Sequence, residues 1–346
     1  MAYTTINKST DYFNTVLYTG TEPSNKAVTG VNFRPDLVWI KQRSGTEGHY
    51  LADVLRGSTK VLRSNETAVE NDRGSNGIQS FDSDGFTAGG GDDINSNGGT
   101  FASWNWKANG TGSTNTDGSI NSTVSVNTTS GFSIVKYTGT GAIATVGHGL
   151  GVTPKMIIAK GLGVVNNWIV YHSTLGSNKG LALQDSGVGF TGSHLWNDTN
   201  PTSSVFSLGA VGATNTSGQE NIAYCFAEKT GYSKFGSYTG NGNADGSFIY
   251  CGFKPALILI KQTNATGSWY MWDNKRDTFN PYQRYISPNN ANAEYTSSER
   301  WLDSLSNGFK WRNTETAMNG SGSSYIFMAF AEAPLVGSNN IPCTAR

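Results

Sequence analysis

An acidic or imidazole side chain recurs three times at one fixed distance from a proline. Each lies eighteen positions after it: Asp53 after Pro35, His172 after Pro154 and Asp273 after Pro255. Arg56 and Arg276 follow three positions after the aspartates, whereas Leu175 follows His172. These side chains could act as general acids or bases in three sites. They could instead accept backbone hydrogen bonds at a strand end and pair with the arginine. Because one set lacks both the carboxylate and the arginine, the sequence favours the structural interpretation.

A second group of carboxylates has the spacing of a cation loop. The segment Asp82-Ser83-Asp84-Gly85 resembles the start of a calcium loop, and Asp92 and Asp93 follow closely. The distal glutamate of such a loop is missing. A turn between two strands explains the same residues, since Asn307-Gly308 precedes an aromatic residue later in the chain. The turn is favoured, the metal site is the alternative, and no metal or cofactor is expected.

Other catalytic signatures are missing or out of context. The GxGxG pattern of residues 147–151 precedes an apolar strand-like run instead of opening a helix, which argues against a dinucleotide site. The four histidines form no HxH or HExxH cluster, and no GxSxG segment occurs. The sequence therefore predicts a protein that is not an enzyme. A depolymerase with two carboxylates in one cleft remains the alternative from another class.

Aromatic residues near the C-terminus are candidates for ligand binding. Tyr282, Tyr295 and Trp311 could stack on sugars, and the first two lie in predicted loops of the last third of the chain. Trp168 and Trp269 each follow a proline by fourteen positions, so we expect them to be buried at equivalent places. Those two tryptophans and the two Asp–Arg pairs are the expected structural residues.

The elements that must position these residues are repeated in tandem. Each copy opens on Tyr-Thr-Gly, continues with a proline and an apolar run ending in lysine six residues later, and closes on an aromatic-rich stretch. The openings lie at Tyr18, Tyr137 and Tyr238, and the lysines are Lys41, Lys160 and Lys261. Three copies of roughly 90 residues indicate one duplicated structural unit. Repetition suits an adhesive or structural surface better than an active site.

Each copy contains short runs rich in β-branched and aromatic residues, separated by turn signals. The apolar runs 37–40 and 256–260 have no polar alternation, which is typical of central strands covered on both faces. The sequence predicts an all-β fold of three tandem antiparallel β-sandwich repeats, jelly-roll-like. The expected boundaries are 1–108, a Gly/Ser/Thr/Asn-rich linker at 109–129, 130–230, 231–334 and a C-terminal arm at 335–346.

Composition restricts the class of partner. Lys and Arg total 25 against 25 Asp and Glu, and charged residues make up only 14% of the chain. A nucleic-acid-binding protein needs a basic face, so nucleic acid is not an expected partner. No apolar run approaches a membrane span and no signal peptide is visible. Zero net charge and many β-edges favour association, and a homo-oligomer is expected.

Several strings resemble tail-fibre-like virion proteins of marine tailed bacteriophages. They are residues 33–41 (FRPDLVWIK), 82–86 (DSDGF), 102–108 (ASWNWKA), 231–242 (GYSKFGSYTGNG) and 341–346 (IPCTAR). The resemblance spans essentially the whole chain. It implies a location in the virion and a structural, tail-associated role. It also implies contact with other virion proteins and with a host-surface glycan or protein, and a capsid decoration or surface filament is the alternative within that class.

Overall fold

The computed structural model describes residues 4–210 and 212–332, together with the backbone of 335–336 and 342–343. Strands hold 41% of the residues and helices 5%, and the sheets are antiparallel. The predicted all-β fold is therefore confirmed, as is the prediction of little helix.

In its described residues the first copy contains nine strands, a short helix and two 3-10 turns. The strands are β1 (Phe13–Thr19), β2 (Lys26–Val28), β3 (Leu37–Gln42), β4 (Tyr50–Asp53), β5 (Lys60–Val61), β6 (Asn71–Asp72), β7 (Ile78–Asp82), β8 (Gly85–Ala88) and β9 (Thr100–Trp106). The helix is α1 (Asp92–Asn95), and the 3-10 turns are Ser9–Asp11 and Gly74–Asn76.

The rest of the described chain has the same types of element. The middle part contains β10 (Ser113–Asn115), β11 (Ser122–Asn127), β12 (Phe132–Thr138), β13 (Ala144–Gly147), β14 (Met156–Gly161), β15 (Ile169–His172), β16 (Lys179–Ala182), β17 (Phe190–Thr191), β18 (Val205–Leu208), α2 (Gly212–Asn215) and β19 (Glu220–Phe226). The last part contains β20 (Ser233–Thr239), β21 (Phe248–Tyr250), β22 (Pro255–Gln262), β23 (Trp269–Asp273), β24 (Arg284–Tyr285), β25 (Tyr295–Thr296), β26 (Leu302–Leu305), β27 (Gly308–Trp311), α3 (Thr316–Asn319), β28 (Ser324–Ala331), β29 (Leu335–Val336) and β30 (Pro342–Cys343).

Each copy contributes four strands in the same order to a main sheet. The orders are β1-β9-β3-β4, β12-β19-β14-β15 and β20-β28-β22-β23. The second set is the centre of an eight-stranded sheet, which continues with β11 and β10 beside β12 and with β16 and β17 beside β15. In each sheet the aromatic-rich closing strand lies between the opening strand and the proline strand, with Trp39 opposite Trp104 in the first copy. The recurring motifs of the sequence thus occupy adjacent strands.

A second, smaller sheet covers the outer face of each main sheet. These outer sheets are β2-β8-β7, β13-β18 and β21-β27-β26. Between each pair of sheets lies an outer core, which in the first copy includes Val38, Ile40, Phe86 and Phe101. Each copy therefore has the two-layer packing of a β-sandwich.

The inner faces of the three main sheets meet in one central core. Leu37 and Trp39 of β3 point into this core. The alternate residues Val38 and Ile40 point into the outer core. Side chains alternate between the two faces of a strand, so burial of both faces explains the uninterrupted apolar run.

Three aromatic rings at equivalent positions meet where the three sheets converge. The ring centroids of Trp106, Phe226 and Phe330 are 5.8–6.2 Å apart in all three pairs. The boundaries at 108, 130 and 231 therefore separate three sheets but not three independent hydrophobic cores. Residues of every copy share the largest core.

The structure describes the two expected connecting segments to different extents. Part of segment 109–129 is paired and not a free linker, because β11 pairs with β12 over its full length and β10 pairs with β11. Alternating Val124 and Val126 drive this pairing by packing on the outer core of the second copy. The expected arm at 335–346 lies outside the described residues except for β29 and β30, which pair with each other.

Candidate functional site

The end of β4 places Asp53 where the first and second copies meet. Its Oδ1 atom accepts hydrogen bonds from the backbone N–H groups of Leu55 and Arg56, both at 3.0 Å. Its Oδ2 atom accepts from Arg56 Nε at 2.5 Å and from the Tyr224 hydroxyl at 2.8 Å. Both side chains of the pair are fully buried. The carboxylate has no free face toward solvent.

Asp273 repeats this arrangement where the third and first copies meet. Its Oδ1 atom accepts from the backbone N–H groups of Lys275 and Arg276, and its Oδ2 atom from Arg276 Nε at 2.5 Å. The remaining contact comes from Trp104 Nε1 at 3.1 Å. Trp104 and Tyr224 occupy equivalent positions of the closing strands β9 and β19.

His172 lies at the equivalent place between the second and third copies. Its Nε2 atom is 3.3 Å from the carbonyl oxygen of Phe327, and its Nδ1 atom is 2.9 Å from the Thr174 hydroxyl. Burial lowers the pKa of His172 to about 4. A neutral ring that donates from Nε2 and accepts at Nδ1 satisfies both contacts. Met328 occupies the position of Trp104 and Tyr224, and its side chain has no hydrogen-bond donor. His172 needs no such donor, because it donates to the Phe327 carbonyl itself.

These three contacts close a ring. The first copy accepts from the second at Asp53, the third accepts from the first at Asp273, and the second donates to the third at His172. We call Asp53, His172 and Asp273, with their partners, the interface ring. Its members connect residues as far as 171 positions apart, so the ring fixes the copies relative to one another.

A second set of contacts runs in the opposite sense: the interface-ring side chains contact the following copy, whereas these side chains contact the preceding copy. Trp168 Nε1 donates to the Arg63 carbonyl and Trp269 Nε1 to the Ala182 carbonyl, both at 2.9 Å. His49, at the equivalent position, contacts the Ser287 carbonyl through Nε2 at 3.1 Å. Burial lowers the pKa of His49 to about 3, so its ring is neutral at neutral pH. The two tryptophans are buried at equivalent places, as the spacing predicted.

The repeated lysines are also buried. Lys160 Nζ donates to the carbonyl oxygens of Thr67, Gly161 and Val164 at 3.1–3.4 Å, and Lys41 and Lys261 make comparable contacts. Burial lowers the pKa of each of the three lysines to about 8. Their ammonium groups therefore satisfy backbone carbonyls at strand ends and in loops, and Lys160 and Lys261 each reach a carbonyl of the preceding copy.

The three aromatic candidates for ligand binding have different environments. Tyr282 and Trp311 are buried in the outer core of the third copy, so the expectation that they lie at the surface is wrong. The loop containing Tyr282 folds back and forms a β-bridge to Leu302. Tyr295 is 43% exposed and stacks on Tyr285 with ring centroids 5.2 Å apart.

The carboxylates of the alternative metal site each bind different protein groups. Asp82 accepts from the Thr87 hydroxyl, and Asp84 accepts from two backbone N–H groups of the loop at 30–32. Asp93 is buried between Arg63 and Arg73. In the part of the chain that the structure describes, no three His, Cys, Asp or Glu side chains are grouped to hold a metal ion. The turn interpretation agrees with these contacts.

Two acids of the first copy are in direct contact. Glu22 and Asp92 share a side-chain hydrogen bond at the surface of the first copy, which raises the pKa of Glu22. Retaining glycosidases hold their two carboxyl groups about 5–5.5 Å apart, with room for the sugar between them. Carboxyl groups in direct contact leave no such room.

Sequence reasoning missed three exposed aromatic residues. Phe248 and Tyr250 lie on β21, and Phe279 lies in a loop; their side chains are 47%, 59% and 84% exposed. Val28, Val146 and Ile249 are equivalent positions of the three copies. An alignment at these positions would have revealed Phe248 and Tyr250, because the first two copies have no aromatic residue beside the equivalent valine.

The fold and these contacts define an all-β protein whose titratable residues join three sheets. A model of a family described as a domain of unknown function, DUF7483, matches residues 8–334. The match covers most of the chain, so the chain belongs to this family. No curated protein matches it. Among the described residues, no helix is long and apolar enough to span a membrane.

Proposed function

We propose that this protein is a non-enzymatic structural protein of a bacteriophage virion, a tail fibre or tail-associated component that assembles as a homo-oligomer. The observation that carries the proposal is the interface ring. Its two carboxylates and its imidazole are the groups that the sequence offered as general acids or bases. All three instead make hydrogen bonds that join one copy to the next.

The electrostatics of these groups support the same function. A general acid or base must reach a substrate and have a pKa near the working pH. Asp53 and Asp273 are buried against arginine, and burial lowers the pKa of both His49 and His172 far below neutrality. Three sheets joined by buried hydrogen bonds form a rigid body. Rigidity suits a component of a virus particle that bears mechanical load.

Two experiments test the proposal. Mass spectrometry of purified virions from a host that produces this protein should detect it, and gold-labelled antibodies should mark the tail. Labelling of the capsid surface would favour a decoration protein, and absence from the particle would overturn the proposal. Negative-stain electron microscopy with sedimentation of the purified protein should show defined oligomers, and a monomer at every concentration would contradict the assembly.

The enzymatic alternative is tested on the same preparation. Purified protein incubated with polysaccharides of the host surface should release no reducing ends. Steady release that is lost in a Glu22→Gln or Asp92→Asn variant of unchanged stability would replace the structural function with a depolymerase.

A further inference from the structure

Exposed aromatic side chains are confined to one of the three copies. Among the residues that the structure describes, the aromatic side chains with high exposure are Phe248, Tyr250, Phe279 and Tyr295. All four belong to the third copy, whereas the exposed large side chains of the other two copies are valines and one isoleucine. Since the three copies share one architecture, the fold does not require this difference.

Two of these residues form a pair on the outer sheet. Phe248 and Tyr250 project from the outward face of β21, and Ile249 between them is buried in the outer core. Ile249 pairs with Phe309 as Val28 pairs with Phe86. The positions that flank Val28 are Ala27 and Thr29, and those that flank Val146 are Thr145 and Gly147. Only the central residue is needed for packing, so the aromatic pair is an addition specific to the third copy.

A row of charged side chains lies beside the pair. Phe248 is directly opposite Lys310, which is directly opposite Asp303 on the next strand. Asp245 contacts Lys310 at 2.6 Å and Arg312 at 3.3 Å, and Arg312 contacts Asp303 at 3.3 Å. Two acids and two bases therefore hold one another in place, with no net charge and with donors and acceptors facing solvent.

We infer that this aromatic platform, defined as Phe248 and Tyr250 with Asp245, Asp303, Lys310 and Arg312, binds a neutral carbohydrate. Aromatic rings exposed side by side stack on the C–H faces of sugar rings, and fixed carboxylates and cations hydrogen-bond the hydroxyl groups. A polyanion such as a nucleic acid would need a surplus of positive charge, which the balanced row does not offer. The inference rests on the proposed function for the place of the sugar, which would be the host surface.

The test compares the wild-type protein with a double variant, Phe248→Ala and Tyr250→Ala. Both side chains are exposed, so the variant should unfold at the wild-type temperature. The matched control is Phe279→Ala, which removes the most exposed aromatic ring of the same copy outside the platform. Binding is measured on an array of immobilised neutral oligosaccharides and by retardation in native gels that contain dextran, laminarin or galactomannan.

We expect the wild type and Phe279→Ala to bind at least one of these sugars, and the double variant to bind it at least about tenfold more weakly. Wild-type binding to none of them, or equal binding by the double variant, would overturn the inference. So would a double variant that keeps sugar binding but loses self-association, because the platform would then be a contact between copies of the chain. If the protein binds sugar but is absent from virions, the platform inference holds and the proposed function is rejected. If the protein is present in virions but binds none of the sugars, only the platform inference is rejected.

Discussion

The hydroxyl group of Tyr224 donates a 2.8 Å hydrogen bond to Asp53, which lies 171 positions earlier in the chain. The same carboxylate neutralises the buried Arg56. A tyrosine of one sheet therefore completes an ion pair of another, and the equivalent contact of Trp104 with Asp273 does so where the third and first copies meet. The copies are joined by their buried polar groups as well as by their apolar faces.

Replacement of Asp53 by asparagine should destabilise the whole protein. The change removes the closer of the two carboxylates that neutralise the buried Arg56 cation and leaves only Glu70, at 3.3 Å. The loss of one member of a buried ion pair costs about 3–5 kcal/mol, and we expect a value near the lower end because Glu70 remains. Urea denaturation measures the loss. Asp198→Asn, at an exposed loop position, is the control and should leave the midpoint unchanged. A wild-type midpoint for Asp53→Asn would show that the pair does not brace the interface.

The sequence predicted the strands and the buried equivalent tryptophans because the apolar pattern and the fixed spacings report them directly. It could not predict the interface ring, because the partners of the three equivalent positions differ in type, being a hydroxyl, an indole N–H and a backbone carbonyl, and come from distant strands. The misassigned Tyr282 shows the same limit. A position after Pro281 indicates a loop, but the bridge from that loop to Leu302, which buries the ring, depends on tertiary packing.

Trp269→Ala should cost about 3–5 kcal/mol, from lost burial and from the cavity left behind. The side chain packs in the central core and its Nε1 atom donates to the Ala182 carbonyl of the second copy. Thermal unfolding followed by circular dichroism measures the effect. Val165→Ala, at a highly exposed apolar position, should melt as the wild type does. If Trp269→Ala also melted as the wild type does, the central core would not depend on this contact.

Stability should fall when the protein is acidified below about pH 6.5. The pKa of His172 is about 4 in the folded protein, so between these values the unfolded chain binds a proton that the folded protein excludes. That difference amounts to about 3 kcal/mol for His172 at the acid end of the window. His172→Gln keeps a donor for the Phe327 carbonyl but cannot titrate. Its urea midpoint should therefore fall less steeply with pH, and an unchanged slope would exclude His172 as the cause.

Stability should rise between about pH 8 and about pH 10. Lys41, Lys160 and Lys261 have folded pKa values of about 8 because burial disfavours their charge, whereas an unfolded lysine titrates near 10.4. The unfolded chain thus binds more protons in this window, and stability increases with pH. Above about pH 10 the trend should reverse, because burial raises the pKa of Tyr50 and of Tyr171 to about 12. Urea midpoints measured across the window check the sign. A steady decline from neutral pH would contradict it, and Lys160→Met should show a smaller rise.

Removal of the third copy should unfold the first two. A chain that ends at residue 230 lacks the sheet that packs on the inner faces of the other two, so Trp106 and Phe226 lose the ring of Phe330, and Trp104 loses Asp273. Three independent sandwiches would survive this truncation, whereas three sheets around one shared core would not. We expect the truncated chain to lose its cooperative thermal transition and to bind a hydrophobic dye. Deletion of residues 335–346 is the matched control: it leaves all three main sheets complete, so that chain should unfold cooperatively. A cooperative transition of the chain 1–230 near the wild-type temperature would show that the central core is not what holds the first two copies together.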